Sequence, residues 1–191
     1  EATVTSTLTF TPANWDTPQV ATITGVDDDI IDGSQTSTIT VSIDDANSDD
    51  DFDAIADQTV SVSTTDDDVA GFTVSETQGS TGVDESGTTD IITVVLNAQP
   101  ASDVVITVTS SDTGEATVTS PLTFTPANWD TAQNVTITGA DDELVDGTVN
   151  STLTITVDDA NSDDNFDAVA DQTVTASTTD DDVAGFTIDQ L

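Results

Sequence analysis

Residues 90–109, DIITVVLNAQPASDVVITVT, hold two runs in which apolar residues and Thr alternate, parted by an Asn- and Pro-bearing break. Successive side chains of an extended chain point to opposite faces, so each run reads as a strand with one face for a core. Working outward, runs of the same kind fall at residues 71–76, 115–119, 122–125, 134–139, 151–157 and 173–179. Clusters of Asp, Gly, Asn and Pro separate them, and no window offers a helical period. Seven or eight short strands in about 114 residues predict an all-β antiparallel sandwich. Phe72, Phe124, Phe166 and Trp129 are its expected large core residues. The abundant Thr suits the outward faces of strands, so an ice-binding array need not be invoked.

The same pattern is written twice. EATVTSTLTFTPANWDT begins at Glu1 and EATVTSPLTFTPANWDT at Glu115, an offset of 114 residues, and residues 1–77 match residues 115–191 at 54 of 77 positions. A period this long is a whole domain rather than a solenoid rung. The decapeptide STTDDDVAGF, at residues 63–72 and again at 177–186, marks the boundary. Residues 1–68 are then the back part of one sandwich, 69–182 a complete sandwich, and 183–191 the first strand of a following one. Anything matching residues 71–114 is missing from the first part, which predicts an exposed core completed by upstream sequence or a neighbouring chain. The closing GFTIDQL offers only one of the missing strands, which favours a continuous array over simple strand exchange. No Met opens the chain, so it is expected to be cut from something longer.

Composition narrows the partners. The chain has 38 acidic residues, no Lys, Arg or His, and a formal charge of −38. No side-chain salt bridge can form, and nucleic acid and anionic membrane surfaces are excluded because both need a basic footprint. No apolar stretch is long enough for membrane insertion as a helix. Self-repulsion on this scale opposes compaction unless cations intervene, so folding is expected to depend on them. With no Cys, disulfides and thiolate metal sites are absent.

The acids gather in three recurring clusters. Asp66, Asp67 and Asp68, repeated as Asp180, Asp181 and Asp182, end the last strand of each copy. In extended chain Asp66 and Asp68 face one way and Asp67 the other. The second cluster is Asp141, Asp142, Glu143, Asp146 and Gly147, matching Asp27, Asp28, Asp29, Asp32 and Gly33 in a loop between strands. The third spans residues 158–167, with its partner at 44–53. Asp159, Asn161 and Asp163, like Asp45, Asn47 and Asp49, reproduce the opening D-x-N-x-D of a calcium loop. Asp164 stands where the Gly of an EF-hand belongs, and no Glu occupies the twelfth position, so a looser loop anchored by a buried Phe166 is expected. Ca2+ accepts about six to eight oxygens in irregular geometry, which suits carboxylate clusters better than Mg2+ does. Each cluster also has a plain reading as a solvated acidic loop or turn.

VDESGTTDIITVVLN, LTFTPANW, VTITGADDELVDG and STTDDD follow one another in an order and spacing that resemble the Calx-beta domain family. The resemblance covers the complete unit and most of the partial one. It implies tandem immunoglobulin-like sandwiches that bind several calcium ions at one end, beside the junction to the next domain. Carried over by position, it proposes Glu85, Asp141, Asp142 and the triplet Asp180, Asp181 and Asp182 as ligands. Asp146 stands where the family usually has Glu, and a further family Glu falls on Val149 here and on Gln35 in the other copy. Either Glu115 or Asp112 supplies the mid-domain acid; spacing leaves both open. The family occurs in exchanger regulatory domains and in arrays within bacterial surface adhesins.

These readings predict a repeat module of a long secreted or cell-surface fibre or adhesin. Its partners would be calcium ions, neighbouring repeats and identical chains. A calcium-sensing module is the second class, which near-identical tandem copies disfavour. An enzyme is disfavoured because only carboxylates and hydroxyls remain for chemistry; a paired-carboxylate glycosidase would need a cleft with aromatic platforms, and the chain has two Trp. An acidic halophile surface would spread its acids over every strand, whereas here they concentrate in loops and junctions.

Overall fold

Alternation every second residue decides which faces can be buried, and whether they are buried depends on what lies opposite. The computed structural model describes residues 1–5 and 7–189. Among them the chain is all-β, with short 3-10 turns as its helical segments, and no helix is long and apolar enough to cross a membrane. It divides into two units, Glu1–Asp67 and Asp68–Leu191.

Unit 1 contains β1 (Ala2–Val4), β2 (Ile23–Gly25), β3 (Gln35–Val41) and β4 (Gln58–Thr64). Strands β1 and β2 pair antiparallel, as do β3 and β4, giving two separate two-stranded sheets. Several of its large apolar side chains, Phe10, Trp15, Phe52 and Val60 among them, are exposed, while Ile31, Ile39 and Val62 are half-buried.

Unit 2 contains β5 (Phe72–Glu76), β6 (Thr81–Asp84), β7 (Thr89–Leu96), β8 (Val104–Ser110), β9 (Ala116–Val118), β10 (Leu122–Phe124), β11 (Gln133–Gly139), β12 (Val149–Val157) and β13 (Gln172–Thr179). One sheet runs β10-β8-β12-β13-β6 and the other β5-β7-β11-β9. All neighbours are antiparallel except β13 and β6, which run parallel. Between the sheets lies one core, in which Phe124, Phe166, Ile92, Ile106, Ile137 and Leu153 are fully buried. This is the largely antiparallel β-sandwich that the period-two runs predict.

Two sequence expectations need correction. Strand β6 was not among the expected strands, because Thr81–Asp84 is short and broken by Gly82; it forms as an added edge beside β13. Trp129 is half-buried rather than central. It sits past the end of β10, where its carbonyl accepts a 3.2 Å hydrogen bond from the Leu96 amide. Residues 183–189 form no strand and expose Val183, Phe186 and Ile188, while Gln190 and Leu191 lie outside the described residues. The same GFT sequence is a strand in β5 because β7 is there to pair with it.

Candidate metal centre

Four chain segments bring acids together where β6 and β13 end. Glu85 follows β6, and its amide donates to the Thr179 carbonyl at 3.1 Å, which ties it to the end of β13. The tight turn after it is closed by Asp84, whose Oδ1 accepts from the Ser86 amide at 3.1 Å and from the Ser86 hydroxyl. Glu115 precedes β9, and its carbonyl accepts from the Ala140 amide at 2.8 Å and the Thr178 hydroxyl at 3.3 Å. Both glutamates are buried.

The 141–147 loop is held by Asp180, whose Oδ2 accepts from the Gly147 amide at 2.8 Å and whose Oδ1 accepts from the Asp182 amide at 2.7 Å. Gly147 has φ of +82°, a left-handed conformation that side-chain-bearing residues seldom adopt, and this turns the loop back towards Asp180. Unit 1 repeats the clamp: Asp66 Oδ2 accepts from the amides of Asp32 at 3.0 Å and Gly33 at 2.7 Å. Gly139 sets a further constraint. A Cβ there would lie 2.0 Å from the Asp84 carbonyl oxygen, so only glycine lets the end of β11 meet the residue before Glu85.

Carboxylate oxygens converge in two groups, Glu85 with Asp180 and Asp182, and Glu85 with Glu115 and Asp146, each within 4.8 Å of one another. Opposite ligands on a calcium ion sit about 4.6–5.2 Å apart, twice the usual Ca–O distance. The oxygens of each group are thus close enough for one such ion to reach all three, and Glu85 belongs to both groups. Both Glu85 oxygens, Glu115 Oε2 and Asp182 Oδ2 are buried without a hydrogen-bond partner. The Asp181 amide lies near Glu85 but makes no hydrogen bond of ordinary geometry to either oxygen.

Burial, then the charges of Asp180, Asp142 and Glu115, push the Glu85 carboxyl above its usual range. Glu115 is raised by burial, with Asp146, Asp112 and Asp142 adding repulsion. Asp182 is raised by burial and by Asp180, Asp181 and Asp141. Asp180 goes the other way, lowered chiefly by the Gly147 amide. Buried anionic oxygens of this kind are costly unless a proton, a donor or a cation meets them, and the chain has no basic side chain to offer.

The sequence-derived ligands sort unevenly over this geometry. Glu85, Asp146, Asp180 and Asp182 come together. Asp141, Asp142 and Asp181 contribute charge around them without entering either group. Glu115 rather than Asp112 joins, because Asp112 Oδ1 accepts from the Gly114 amide within its own loop at 3.0 Å. Sequence spacing had left that choice open; the burial of Glu115 just ahead of a strand is the signal that decides it.

In unit 1, Asp27, Asp28, Asp32, Asp66 and Asp67 form no group of three among the described residues, and neither does Asp68 at the start of unit 2. The third cluster is a folded loop of two 3-10 turns in each unit. Asn161 donates to Asp158 Oδ2 at 2.9 Å, and Asn47 to Asp44 Oδ2 at 2.9 Å, so each closes its own turn. Burial opposes ionisation of Asp163, yet the amides of Asn165, Ser102 and Ala101 outweigh it and hold its carboxyl below the usual range. Asp49 likewise accepts from the Asp51 amide at 3.1 Å. Asp159, Asp163, Asp45 and Asp49 enter no group of three carboxylates among the described residues. Acids and Asn of the calcium-loop pattern serve there as turn and cap partners.

No protein-family model and no curated protein sequence matches the chain. Among solved structures it is similar to the apo form of the Calx CBD1 domain, at 15% identity and a TM-score of 0.43, over 60% of this chain and 100% of that one. It is similar also to surface-layer protein SbsC domains 1–6, at 16% identity and 0.44, over 76% of this chain and 16% of that one. The E. coli chaperone DraB gives 8% identity and 0.42, over 60% of this chain and 59% of that one.

Proposed function

We propose that the complete sandwich is a calcium-binding structural module of a long extracellular or cell-surface array, a fibre or an adhesin. The observation that carries this reading is the set of buried carboxylate oxygens without a partner, on Glu85, Glu115 and Asp182, in a chain with no cationic side chain. Glu85, Asp180 and Asp182 would hold one ion, and Glu85, Glu115 and Asp146 a second. Asp141, Asp142 and Asp181 would add attraction without direct ligation. Carboxylates in this irregular set suit Ca2+ better than the tight octahedron of Mg2+.

The chain leaves β13 through the Asp180 to Asp182 triplet. An ion held there would pin the segment by which a following repeat is joined, stiffening the array. Binding to the folded state alone adds stability by mass action, about 2.7 kcal/mol at a hundredfold excess over Kd.

Titration calorimetry and melting of the 191-residue chain test this, with calcium, magnesium and then chelator. Calcium should bind with measurable heat and raise the melting temperature of unit 2, chelator should reverse the shift, and Glu85→Gln should abolish both. No heat and a melt indifferent to chelator would overturn the reading and leave an acidic, solvating surface. Scattering of a longer array, with and without calcium, separately tests the stiffening.

A further inference from the structure

We infer that Thr178 is a positioning residue for the metal centre, its hydroxyl fixing where Glu115 presents its carboxylate. The inference rests on the calcium reading and deepens it. Three consecutive residues at the end of β13 anchor the three other acid-bearing segments. The Thr178 hydroxyl donates to the Glu115 carbonyl at 3.3 Å. The Thr179 carbonyl accepts from the Glu85 amide at 3.1 Å, and the Thr179 hydroxyl donates to the Val83 carbonyl at 3.1 Å. Asp180 Oδ2 accepts from the Gly147 amide at 2.8 Å and so holds the loop that carries Asp146.

Unit 1 repeats this wiring. There the Thr64 hydroxyl donates to the Glu1 carbonyl at 2.9 Å, and the Val26 amide donates to the same carbonyl at 2.9 Å. Thr64, Glu1 and Val26 stand 114 residues ahead of Thr178, Glu115 and Ala140. The strands around the two sites differ, yet the hydroxyl bond is the same. It belongs to the repeated sequence, not to one packing environment.

Thr178 is fully buried, so its hydroxyl needs a partner inside the protein. The Glu115 carbonyl has less need of it, because the Ala140 amide already donates there at 2.8 Å. What the second bond adds is direction: it ties residue 115 to the strand that leads into Asp180 and Asp182. Glu115 belongs to the group with Glu85 and Asp146 and not to the group with Asp180 and Asp182. Thr178 is therefore assigned to one ion of two.

Titration calorimetry with calcium, and melting in chelator, test this on the 191-residue chain and three variants. Thr178→Val keeps nearly the same shape and loses the hydroxyl. It should weaken one calcium ion by about tenfold, the lower end of what losing a ligand-orienting bond costs. The other ion and the melt in chelator should stay as they were. Thr178→Ser keeps the hydroxyl and loses a methyl from the core, so its melt should fall while both affinities hold. Thr175→Val, on the exposed face of β13, should alter neither affinity. Unchanged affinities in Thr178→Val overturn the inference, as does equal weakening in Thr178→Val and Thr178→Ser, which would make packing the cause. Equal weakening of both ions in Thr178→Val overturns it too, since Glu115 would not be the residue positioned. Absence of calcium heat in the unaltered chain overturns the calcium reading itself, and this inference with it.

Discussion

Phe10 and Phe124 stand in the same LTF sequence, yet Phe10 is 52% exposed and Phe124 is 0% exposed. Phe52 and Phe166 repeat the contrast at 52% and 0%, as do Ile23 and Ile137 at 37% and 0%. Local sequence is nearly constant across these pairs, so it cannot be what buries them. Among the described residues, β5 to β8 pair with or face the other strands of unit 2, while unit 1 has β1 to β4 alone. An apolar face is a property of a strand, whereas a core is a property of two faces that meet. The acids obey the same logic. Asp66 clamps its loop in unit 1 as Asp180 does in unit 2, but only unit 2 supplies a Glu85 around which carboxylates gather.

Paired substitutions sharpen this contrast. Phe124→Ala should destabilise unit 2 by about 3–5 kcal/mol, the usual cost of emptying a filled aromatic site. Phe10→Ala should change stability by less than about 0.5 kcal/mol, as exposed substitutions do. Denaturant unfolding followed by hydrogen exchange reads the two units separately, and equal losses would break the comparison.

A smaller effect is expected from the glycines that end β11 and β2. In Gly139→Ala the new methyl carbon would press on the Asp84 backbone, whereas in Gly25→Ala it would meet Thr64 Cγ2 at 3.5 Å, an ordinary contact. Overpacking costs about 1–3 kcal/mol, so Gly139→Ala should lower the melting point of unit 2 and weaken its calcium binding by shifting Glu85. Gly25→Ala should do neither. Calorimetry on both variants decides it; an unaltered calcium affinity in Gly139→Ala would remove this glycine from the site.

The smallest effect is one of pH in calcium-free buffer. Glu85, Glu115 and Asp182 have carboxyls raised by burial and by neighbouring charge. A carboxyl raised in the folded state favours folding below its ordinary pKa and loses that contribution as pH climbs through the raised value. Asp84, Asp90, Asp163 and Asp180 are lowered, and their contribution disappears only on further acidification, below the ordinary value of 3.8. Calcium-free unit 2 should therefore melt higher near pH 5 than at about pH 7. Saturating calcium should flatten that slope, and a melting point that rises with pH without calcium would contradict the assignment.

Much of the fold is legible residue by residue. Period-two runs such as residues 90–96 and 103–109 announce strands because one face of each had to be apolar. Strand β6 was illegible because Thr81–Asp84 is brief and broken by Gly82, and only its parallel pairing with β13 makes it a strand. Trp129 resembled a core residue by its bulk, but its place past β10 leaves it half-buried. Of the site, Glu85 and the two terminal clusters stood out through motif order. The third cluster is metal-like by its pattern, and the amides of Ser102 and Asn165 that donate to Asp163 are a feature its spacing does not reveal.

By itself the sequence determined the strand periodicity, the doubled 114-residue unit, and a chain of acids that no side-chain cation can neutralise. Those are local or additive properties, readable without knowing what lies opposite. Only the tertiary structure decided which apolar faces of unit 2 meet as a core, which of Glu115 and Asp112 faces Glu85, and why residue 139 is glycine. Each of these depends on segments distant along the chain arriving within a few ångströms, and spacing in one dimension carries no measure of that distance.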